Sequence, residues 1–283
     1  MAIIIDGKQI AAELRANCLK RAQELVKHGI TPKLDVIIVG DDPASKQYVS
    51  SRAKDCNSIG MLSTVHELPT DISQLELTNL IDELNEDNAT HGILLQMPLP
   101  RNMNAEEVIA HISKEKDVDG FHPMNVGALV SGKPGFTPCT PGSIMQLIKS
   151  TGVDLDGKNA VVVGRSNVVG RPVAMLLLKE NATVTICHSH TDDLKKYTRN
   201  ADILVAAVGV PELIKGDMIK PGAVVIDAGI NRVGGKTLGD VEFESAKETA
   251  DYISPVPGGV GPVTRTMLLM NTLEACENLN GRN

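Results

Sequence analysis

Val161-Val-Val-Gly-Arg-Ser-Asn-Val-Val-Gly170 decides the fold of this chain, because it is typical of a buried strand that turns directly into a helix. Gly164, Ser166 and Gly170 form a Gly-x-Ser-x-x-x-Gly pattern. The pattern is longer by a single residue than the usual dinucleotide-binding fingerprint, and Ser replaces its middle glycine. Between a strand and a helix, such a turn offers free backbone N–H groups to a phosphate. The sequence therefore predicts a dinucleotide-binding turn, and an ordinary strand-to-helix turn is the alternative.

Strands and helices alternate on both sides of this stretch, which predicts parallel β-sheets covered by helices on both faces. A Gly- and Pro-rich run at 123–140 is typical of a loop and marks a domain boundary. We expect an α/β protein with an N-terminal α/β domain at 1–140, a Rossmann-type domain at 141–261, and a C-terminal helix at 262–283 that returns to the first domain. Strands are predicted at 34–39, 63–68, 92–96, 160–163, 183–187, 203–207, 223–227 and 252–254, and helices at 8–28, 43–59, 73–86, 104–112, 170–179, 192–199 and 263–278, with another starting near 141.

Composition excludes several classes of protein. The 283 residues carry a net charge of −7, which argues against a nucleic-acid-binding surface. Five scattered cysteines show no zinc-binding spacing, so we expect reduced thiols in a cytosolic protein and no metal site. The first residues are charged, and no apolar run is long enough to span a bilayer. We therefore expect a cytoplasmic protein that binds neither nucleic acid nor membrane.

The end of the strand after the glycine-containing turn distinguishes the possible cofactors. NAD sites usually carry Asp or Glu there, to bind the ribose 2′-hydroxyl. This chain has no carboxylate before Asp192, whereas Arg165 and Ser189 are suited to a 2′-phosphate. The pattern favours NADP. His188 and His190 could be metal ligands, but no third ligand is nearby in the sequence.

Four polar residues are candidates for chemistry in the first domain. Tyr48 and Arg52 are four residues apart on a predicted helix and share a face. Gln96 and Asp119 follow predicted strand ends and would project from the same edge of the sheet, where ligands bind in open α/β folds. Taken singly, each has an ordinary explanation: packing, a solvated charge or a turn.

Pro255-Val-Pro-Gly-Gly-Val-Gly-Pro262 can continue neither a helix nor a central strand. Glycine lets a backbone approach a ligand closely, and proline fixes the loop's shape in advance. This segment is either a rigid loop against a flat ligand or an ordinary tight connection.

Six motifs occur in an order that resembles the methylenetetrahydrofolate dehydrogenase/methenyltetrahydrofolate cyclohydrolase family over nearly the whole chain. The motifs are Tyr48…Lys54, Gln96-Met-Pro-Leu-Pro100, Lys116-Asp-Val-Asp-Gly120, Pro138-Cys-Thr-Pro141, Gly164-Arg-Ser166 and Pro255–Pro262.

The resemblance implies a homodimer in which each subunit holds a tetrahydrofolate derivative between a catalytic domain and an NADP-binding domain. It implies oxidation of 5,10-methylenetetrahydrofolate with NADP, followed by hydrolysis of the product to 10-formyltetrahydrofolate. Tyr48 would stack on the folate, Gln96 would assist at the reacting carbon, and Asp119 would hydrogen-bond the pterin. Further substrate contacts implied are Pro257, Gly258, Gly259 and Val260, and implied cofactor contacts are Gly164, Arg165, Ser166, Ser189 and Ile230.

Arg52 departs from the family pattern Tyr-x-x-x-Lys, whose lysine the resemblance assigns to the cyclohydrolase step. Lys can lose a proton in a pocket, whereas Arg effectively cannot. Lys54 is no simple substitute, because it lies about 240° around the helix from Tyr48. A monofunctional dehydrogenase is therefore the alternative to a bifunctional enzyme. A different NADP-dependent reductase and a non-catalytic nucleotide-binding module are the other hypotheses.

Overall fold

The computed structural model describes residues 1–281, which divide into two compact units named for their main sheets. The six-stranded unit comprises Met1–Ala12 and Pro138–Thr264. The three-stranded unit comprises Glu13–Thr137 and the described residues from Arg265 onwards.

The described residues form strands and helices that alternate along most of the chain. The strands are β1 (Ile3–Ile4), β2 (Lys33–Val39), β3 (Leu62–Leu68), β4 (Gly92–Leu95), β5 (Asn159–Val163), β6 (Thr183–Cys187), β7 (Ile203–Ala206), β8 (Val224–Asp227), β9 (Asn231–Val233), β10 (Lys236–Leu238) and β11 (Tyr252–Ile253). The α-helices are α1 (Gly7–Lys27), α2 (Pro43–Ser58), α3 (Gln74–Glu86), α4 (Ala105–His111), α5 (Pro123–Val130), α6 (Cys139–Ser150), α7 (Gly170–Lys179), α8 (Leu194–Thr198), α9 (Phe243–Thr249) and α10 (Val260–Leu279), with a 3-10 helix at Gly216–Met218.

The six-stranded sheet is entirely parallel, in the order β1-β11-β8-β7-β5-β6. Val163 at the end of β5 is in register with Cys187 of β6 on one side and Ala206 of β7 on the other. The chain runs from β5 to β6 on one side of β5, and then crosses over to β7 on the other side. Such a switch point forms a crevice at the carboxyl ends of the strands, where ligands bind in open α/β sheets.

The three-stranded sheet is also parallel, in the order β3-β2-β4. A further parallel bridge joins Ile93 of β4 to Asp117, so the segment after α4 lies beside the sheet. The core under this sheet is aliphatic, as the low aromatic content requires. Among residues 1–281, no helix has both the length and the apolar character needed to cross a lipid bilayer.

The predicted α/β fold class, with its two parallel-sheet domains, is confirmed. The C-terminal helix returns to the first domain as predicted: Arg21 of α1 forms an ion pair with Glu277 of α10 at 2.5 Å. The described part of that helix ends at Leu279. Residues 282 and 283 of the predicted segment lie outside the described residues.

Several elements differ from the prediction. Ile3–Ile4 pairs with β11, so the first residues lie in the six-stranded unit, although the sequence grouped them with the domain at 1–140. Residues 123–130, predicted as loop, form helix α5. Pro123 occupies its first turn, where proline's fixed φ favours a helix, and His122 Nδ1 accepts the Met124 N–H at 3.1 Å. The β9–β10 hairpin and α9 were not predicted.

Lys116 is buried and caps the C-terminal end of α3. Its ammonium donates to the carbonyl oxygens of Leu84, Asn85 and Asp87 at 2.9, 2.7 and 2.8 Å. These carbonyls belong to the last turn of α3 and to the residue just after it. Carbonyl oxygens at a helix end have no N–H donor within the helix. All three ammonium protons are therefore used within the fold.

Replacing Lys116 with Met should lower the free energy of unfolding by about 2–4 kcal/mol, because buried carbonyls lose charged donors. Chemical denaturation near neutral pH, followed by circular dichroism, measures the change. Lys114→Met is the matched control, because Lys114 is exposed and pairs only with Glu115 at 3.4 Å. Equal unfolding midpoints for the two variants would contradict this role of Lys116.

Candidate functional site

Helix α2 carries two of the candidate residues, and its start is fixed by the sequence around Pro43. Asp42 caps the helix, because its Oδ2 accepts the Ser45 N–H at 2.8 Å, and Pro43 lies in the first turn. Tyr48 is 55% exposed, and Arg52 is half-buried a turn further along the helix. The helix thus presents a ring and a guanidinium on one face, as the spacing predicts.

Arg52 meets Gln96 at the end of β4. Its Nη1 donates to Gln96 Oε1, and Gln96 Nε2 donates to the Met97 carbonyl oxygen at 2.7 Å. The Gln96 backbone N–H donates to the Ile37 oxygen at 2.8 Å, which holds this residue in register with the sheet. The structure therefore brings two of the predicted site residues into direct contact, although they lie far apart in the sequence.

Asp55, which the sequence analysis missed, holds α2 in place. This buried carboxylate pairs with Arg15 of α1 at 3.2 Å and with Arg265 of α10 at 2.6 Å. Arg265 also donates Nε to Asp55 Oδ2 at 2.7 Å. All three residues belong to the three-stranded unit. The two ion pairs fix the rotation of α2, and so the direction in which Arg52 points.

The two aspartates of the Lys116-Asp-Val-Asp-Gly120 motif have different environments. Asp117 is buried and accepts the N–H groups of Phe121 at 3.2 Å and His122 at 2.7 Å, and the Asn125 amide at 2.8 Å. It therefore organises the turn that follows. Asp119 is half-buried and, with Asp117, lines a narrow pocket. The other lining residues are Ile93, Leu95, Met97, Ile109, Ile112 and Phe121.

This pocket adjoins the Arg52–Gln96 pair, because Met97 both lines the pocket and accepts the Gln96 amide. Asn271 of α10 supports the segment from the opposite end of the sequence: its Nδ2 donates to the Val118 oxygen at 2.8 Å. A carboxylate, an amide and a guanidinium thus lie around one strand end with apolar walls. This arrangement suits a flat ligand with polar edges.

In the six-stranded unit, the turn after β5 requires its glycines. Gly164 has φ +124°, and a Cβ there would lie 2.1 Å from the Ala207 oxygen. A Cβ at Gly170 would lie 2.2 Å from the Gly164 oxygen. Ser166 Oγ accepts the N–H groups of Val169 and Gly170 at 3.1 and 3.3 Å, so it stabilises the start of α7. The turn brings the helix N-terminus close to the strand ends, which is the geometry that phosphate binding needs.

Arg165 and Ser189 lie at adjoining strand ends of this sheet. The Gly164 N–H donates to the Cys187 oxygen at 2.9 Å, which continues the β5–β6 pairing beyond the strands. Arg165 and Ser189 are both exposed, and among the described residues Arg165 has no ion-pair partner. Arg171 instead donates to Asn167 at 2.9 Å.

Two buried carboxylates organise the loops after β7 and β8. Asp240 Oδ2 accepts the N–H groups of Val208 and Gly209 at 2.6 and 2.9 Å. Asp227 in turn accepts the N–H groups of Gly229 and Asp240, both at 2.9 Å. Burial raises the pKa of Asp227 to about 6. The sequence analysis missed Asp240, because only the fold brings it to these loops.

The remaining predicted contacts also lie in the six-stranded unit. Ile230 follows β8 and is 67% exposed. In the Pro257–Val260 segment, Pro257 is exposed, whereas Gly259 and Val260 are buried. A Cβ at Gly7 would lie 1.9 Å from the Gly259 oxygen, so this segment packs tightly against the start of α1. A Cβ at Gly259 itself would lie 2.7 Å from the Pro255 oxygen, so part of the segment's own glycine requirement is structural.

Within residues 1–281, no group of three or more His, Cys, Asp or Glu side chains is arranged to hold a metal ion. The predicted site residues fall into two sets, each within its own unit. The three-stranded unit holds Tyr48, Arg52, Gln96 and Asp119, and the six-stranded unit holds Gly164, Arg165, Ser166, Ser189, Ile230, Pro257, Gly258, Gly259 and Val260.

Comparison with known proteins matches both parts of the chain to one family. Residues 5–119 match the tetrahydrofolate dehydrogenase/cyclohydrolase catalytic domain, and residues 138–280 match the NAD(P)-binding domain of the same family. The bifunctional protein FolD of Geotalea daltonii is 58% identical over 278 residues, which cover 98% of this chain and 99% of that protein.

Solved structures of the same family are also similar to this chain. The FolD methylenetetrahydrofolate dehydrogenase/cyclohydrolase of Campylobacter jejuni has a TM-score of 0.97 and 48% identity, covering 98% of this chain and 99% of that one. A Trypanosoma brucei FolD complexed with NADP cofactor and inhibitor has a TM-score of 0.93 and 39% identity, covering 100% and 99%. The chain belongs to the tetrahydrofolate dehydrogenase/cyclohydrolase family.

Proposed function

We propose that this protein oxidises 5,10-methylenetetrahydrofolate to 5,10-methenyltetrahydrofolate with NADP and hydrolyses the product to 10-formyltetrahydrofolate. The observation that carries the proposal is the Arg52–Gln96 contact at the end of β4, beside the pocket that Asp119 lines. It lies in the part of the chain that matches the family's catalytic domain. Relatives described as bifunctional favour two activities over a monofunctional dehydrogenase.

The oxidation step demands orientation more than acid–base chemistry. When bound, NADP supplies the redox chemistry by accepting the two electrons and the hydrogen that leave the methylene carbon. The product is a resonance-stabilised cation, so no strong protein base is required. Tyr48 is exposed and available to stack on a flat ring, and Asp119 can accept hydrogen bonds from the pterin's amino and ring N–H groups.

The hydrolysis step requires control of protons, because water adds to the methenyl cation and a ring then opens. In this chain Arg52 stands at the position of the family's lysine. Its guanidinium is a permanent cation that can orient Gln96 and stabilise negative charge. A guanidinium is therefore a poor general base. We propose that Arg52 supplies only the electrostatic part of the lysine's role.

The residues of the six-stranded unit fit NADP. Gly164 and Gly170 let the turn pack directly against the protein backbone, so that α7 begins at the end of β5 and its N-terminus is positioned to favour a pyrophosphate. Arg165 and Ser189 are exposed at the strand ends that would meet a 2′-phosphate. No carboxylate precedes Asp192 after β6 to favour the 2′-hydroxyl of NAD.

We also propose that the protein acts as a cytoplasmic homodimer that binds no nucleic acid. The five cysteines are buried free thiols, which suits a reducing compartment. β3 is an edge strand that pairs with β2 alone, and Leu62 on it is 53% exposed, so it offers an unpaired edge to a second copy. Sedimentation velocity at micromolar concentration would disprove the dimer if it gave the mass of a single chain.

Separate assays of the two steps test the function directly. The purified protein should show a folate-dependent change in NADPH absorbance and should accelerate methenyltetrahydrofolate hydrolysis above its spontaneous rate. NADP binding without any folate-dependent change would contradict the proposal and would point to a different reductase or to a nucleotide-binding module.

Asp119→Ala should raise the Michaelis constant for methylenetetrahydrofolate about tenfold or more, because the pterin donors lose their acceptor. The melting temperature should stay close to that of the unmodified protein, since Asp117 holds the turn instead. Asp71→Ala, which removes an exposed carboxylate of the same unit, is the control. An unchanged Michaelis constant in a folded Asp119→Ala protein would show that the assigned role is wrong.

Arg165→Ala should weaken NADP binding about 10- to 100-fold, because a charge-assisted contact to the 2′-phosphate is lost. NAD binding should barely change. Arg171→Ala is the matched control, because that guanidinium is bonded to Asn167. Equal use of NADP and NAD by the unmodified protein would refute the assignment.

Arg52→Lys should raise the cyclohydrolase rate about tenfold or more, because a lysine can release its proton in a partly desolvated pocket beside other cations. The dehydrogenase rate should change little. Lys54→Arg, an exposed position on the same helix, should leave both rates unchanged. A robust cyclohydrolase rate in the unmodified protein that Arg52→Lys leaves equal or lower would refute the requirement for a lysine.

A further inference from the structure

The turn after β6 contains two histidines whose roles the proposed function leaves open. The turn is closed by its own hydrogen bonds: the His188 N–H donates to Thr191 Oγ1 at 2.9 Å, and the Thr191 N–H donates to the His188 oxygen at 2.8 Å. The His190 N–H donates to His188 Nδ1 at 3.2 Å. The backbone of the turn is therefore held in place without a ligand.

The two imidazoles differ in what they can do. His188 is half-buried, and its Nδ1 accepts a backbone N–H, so that nitrogen carries no proton while the turn is intact. His190 is exposed, and among the described residues neither of its ring nitrogens has a hydrogen-bond partner. Its ring contacts His188 edge to face, with centroids 6.0 Å apart. His190 is thus free to gain a proton and to donate to a ligand.

The sheet places the turn that carries His190 next to the turn that carries Arg165. Strands β5 and β6 are parallel with Val163 opposite Cys187, and the Gly164 N–H donates to the Cys187 oxygen at 2.9 Å. The next residues of both strands therefore leave the same edge of the sheet together. Since neighbouring strands lie about 4.8 Å apart, the turns that carry Arg165 and His190 flank the same space.

A bound phosphate would attract a protonated histidine through opposite charges. A phosphate dianion carries more charge than a single guanidinium, so ligand binding favours the imidazolium over the neutral ring. The titratable or charged side chains on the two turns and at the start of α7 are Arg165, Arg171, His188, Asp192 and Asp193.

We propose that His190 is a third ligand of the cofactor's 2′-phosphate that binds strongly only in its protonated form, so that selectivity for NADP over NAD rises as the pH falls through the range near neutrality. The proposal rests on the proposed NADP-dependent function. A lysine or arginine at this position would bind at every physiological pH, whereas an unperturbed histidine changes charge near pH ~6.5. The turn would therefore add a pH-dependent contact with the 2′-phosphate to the pH-independent contact from Arg165.

Binding of 2′,5′-ADP to the full-length protein, measured by calorimetry at about pH 6 and about pH 8, tests the proposal without the reaction. This probe carries the 2′-phosphate but no nicotinamide. His190→Gln should bind about 3- to 10-fold more weakly than the unmodified protein at the lower pH, and the two should agree within about twofold at the higher pH. The phosphate itself titrates near pH ~6, but that effect is common to both proteins and cancels in the ratio.

Three controls sharpen the test. His190→Lys keeps its charge, so it should bind 2′,5′-ADP more tightly than the unmodified protein at the higher pH and about equally at the lower. His28→Gln removes an exposed histidine just after helix α1 and should change nothing. 5′-AMP, which lacks the 2′-phosphate, should bind all variants equally. Thermal melting confirms that each variant is folded.

The outcomes separate this proposal from the proposed function. If 2′,5′-ADP binds the unmodified protein no better than 5′-AMP does, NADP selectivity itself fails. If it binds better, but His190→Gln is weakened equally at both pH values or not at all, NADP selectivity stands and the conditional role of His190 is overturned.

Discussion

Buried carboxylates that accept hydrogen bonds from the backbone or from arginine hold the segments that carry both candidate sites. Asp55 receives two guanidinium groups and fixes helix α2. Asp117 accepts two backbone N–H groups and fixes the turn beyond Lys116. Asp240 does the same for the loop after β7. A buried carboxylate is costly unless its oxygens are satisfied, so each of these segments is constrained to the conformation that satisfies them.

This constraint separates supporting residues from candidate ligand-binding residues within single motifs. Asp117 is buried and saturated, whereas Asp119 two residues later lines a pocket. His188 accepts a backbone N–H, whereas His190 is exposed and its ring nitrogens have no hydrogen-bond partner within residues 1–281. In each pair the first residue shapes the loop, and we propose that the second contacts a ligand. Replacing the supporting member should therefore disturb the site without removing a proposed ligand contact.

Arg52 stands where the family pattern has a lysine, and we propose that it changes the chemistry of the site. Its contact with Gln96 keeps a cation at the end of β4 under all physiological conditions. Oxidation of a methylene carbon is compatible with a fixed charge, because it requires orientation and no proton transfer by the protein. Hydration of the methenyl cation also requires proton transfers. The balance between the two activities therefore depends on whether water and substrate carry out these transfers without a protein base.

The sequence by itself determined the fold class and the positions of most strands and helices, whereas its assignment of the site residues stays a prediction. These features depend on local patterns: hydrophobic periodicity, Gly164 and Gly170 at a strand-to-helix turn, and Tyr48 and Arg52 on one helix face. Helix α5 was missed because Gly127 and the Gly- and Pro-rich residues after the helix suggested a loop, although Pro123 suits the first turn of a helix.

Only the tertiary structure decided which residues cooperate. Arg52 meets Gln96 because β4 ends beside α2, and Asp55 meets Arg265 because α10 packs back onto the same unit. Such pairs join residues far apart in the chain, and no periodicity or spacing predicts them. These contacts depend on how the helices and strands pack. Packing brings a partner to each buried charge, and the local sequence around that charge does not specify which residue the partner is.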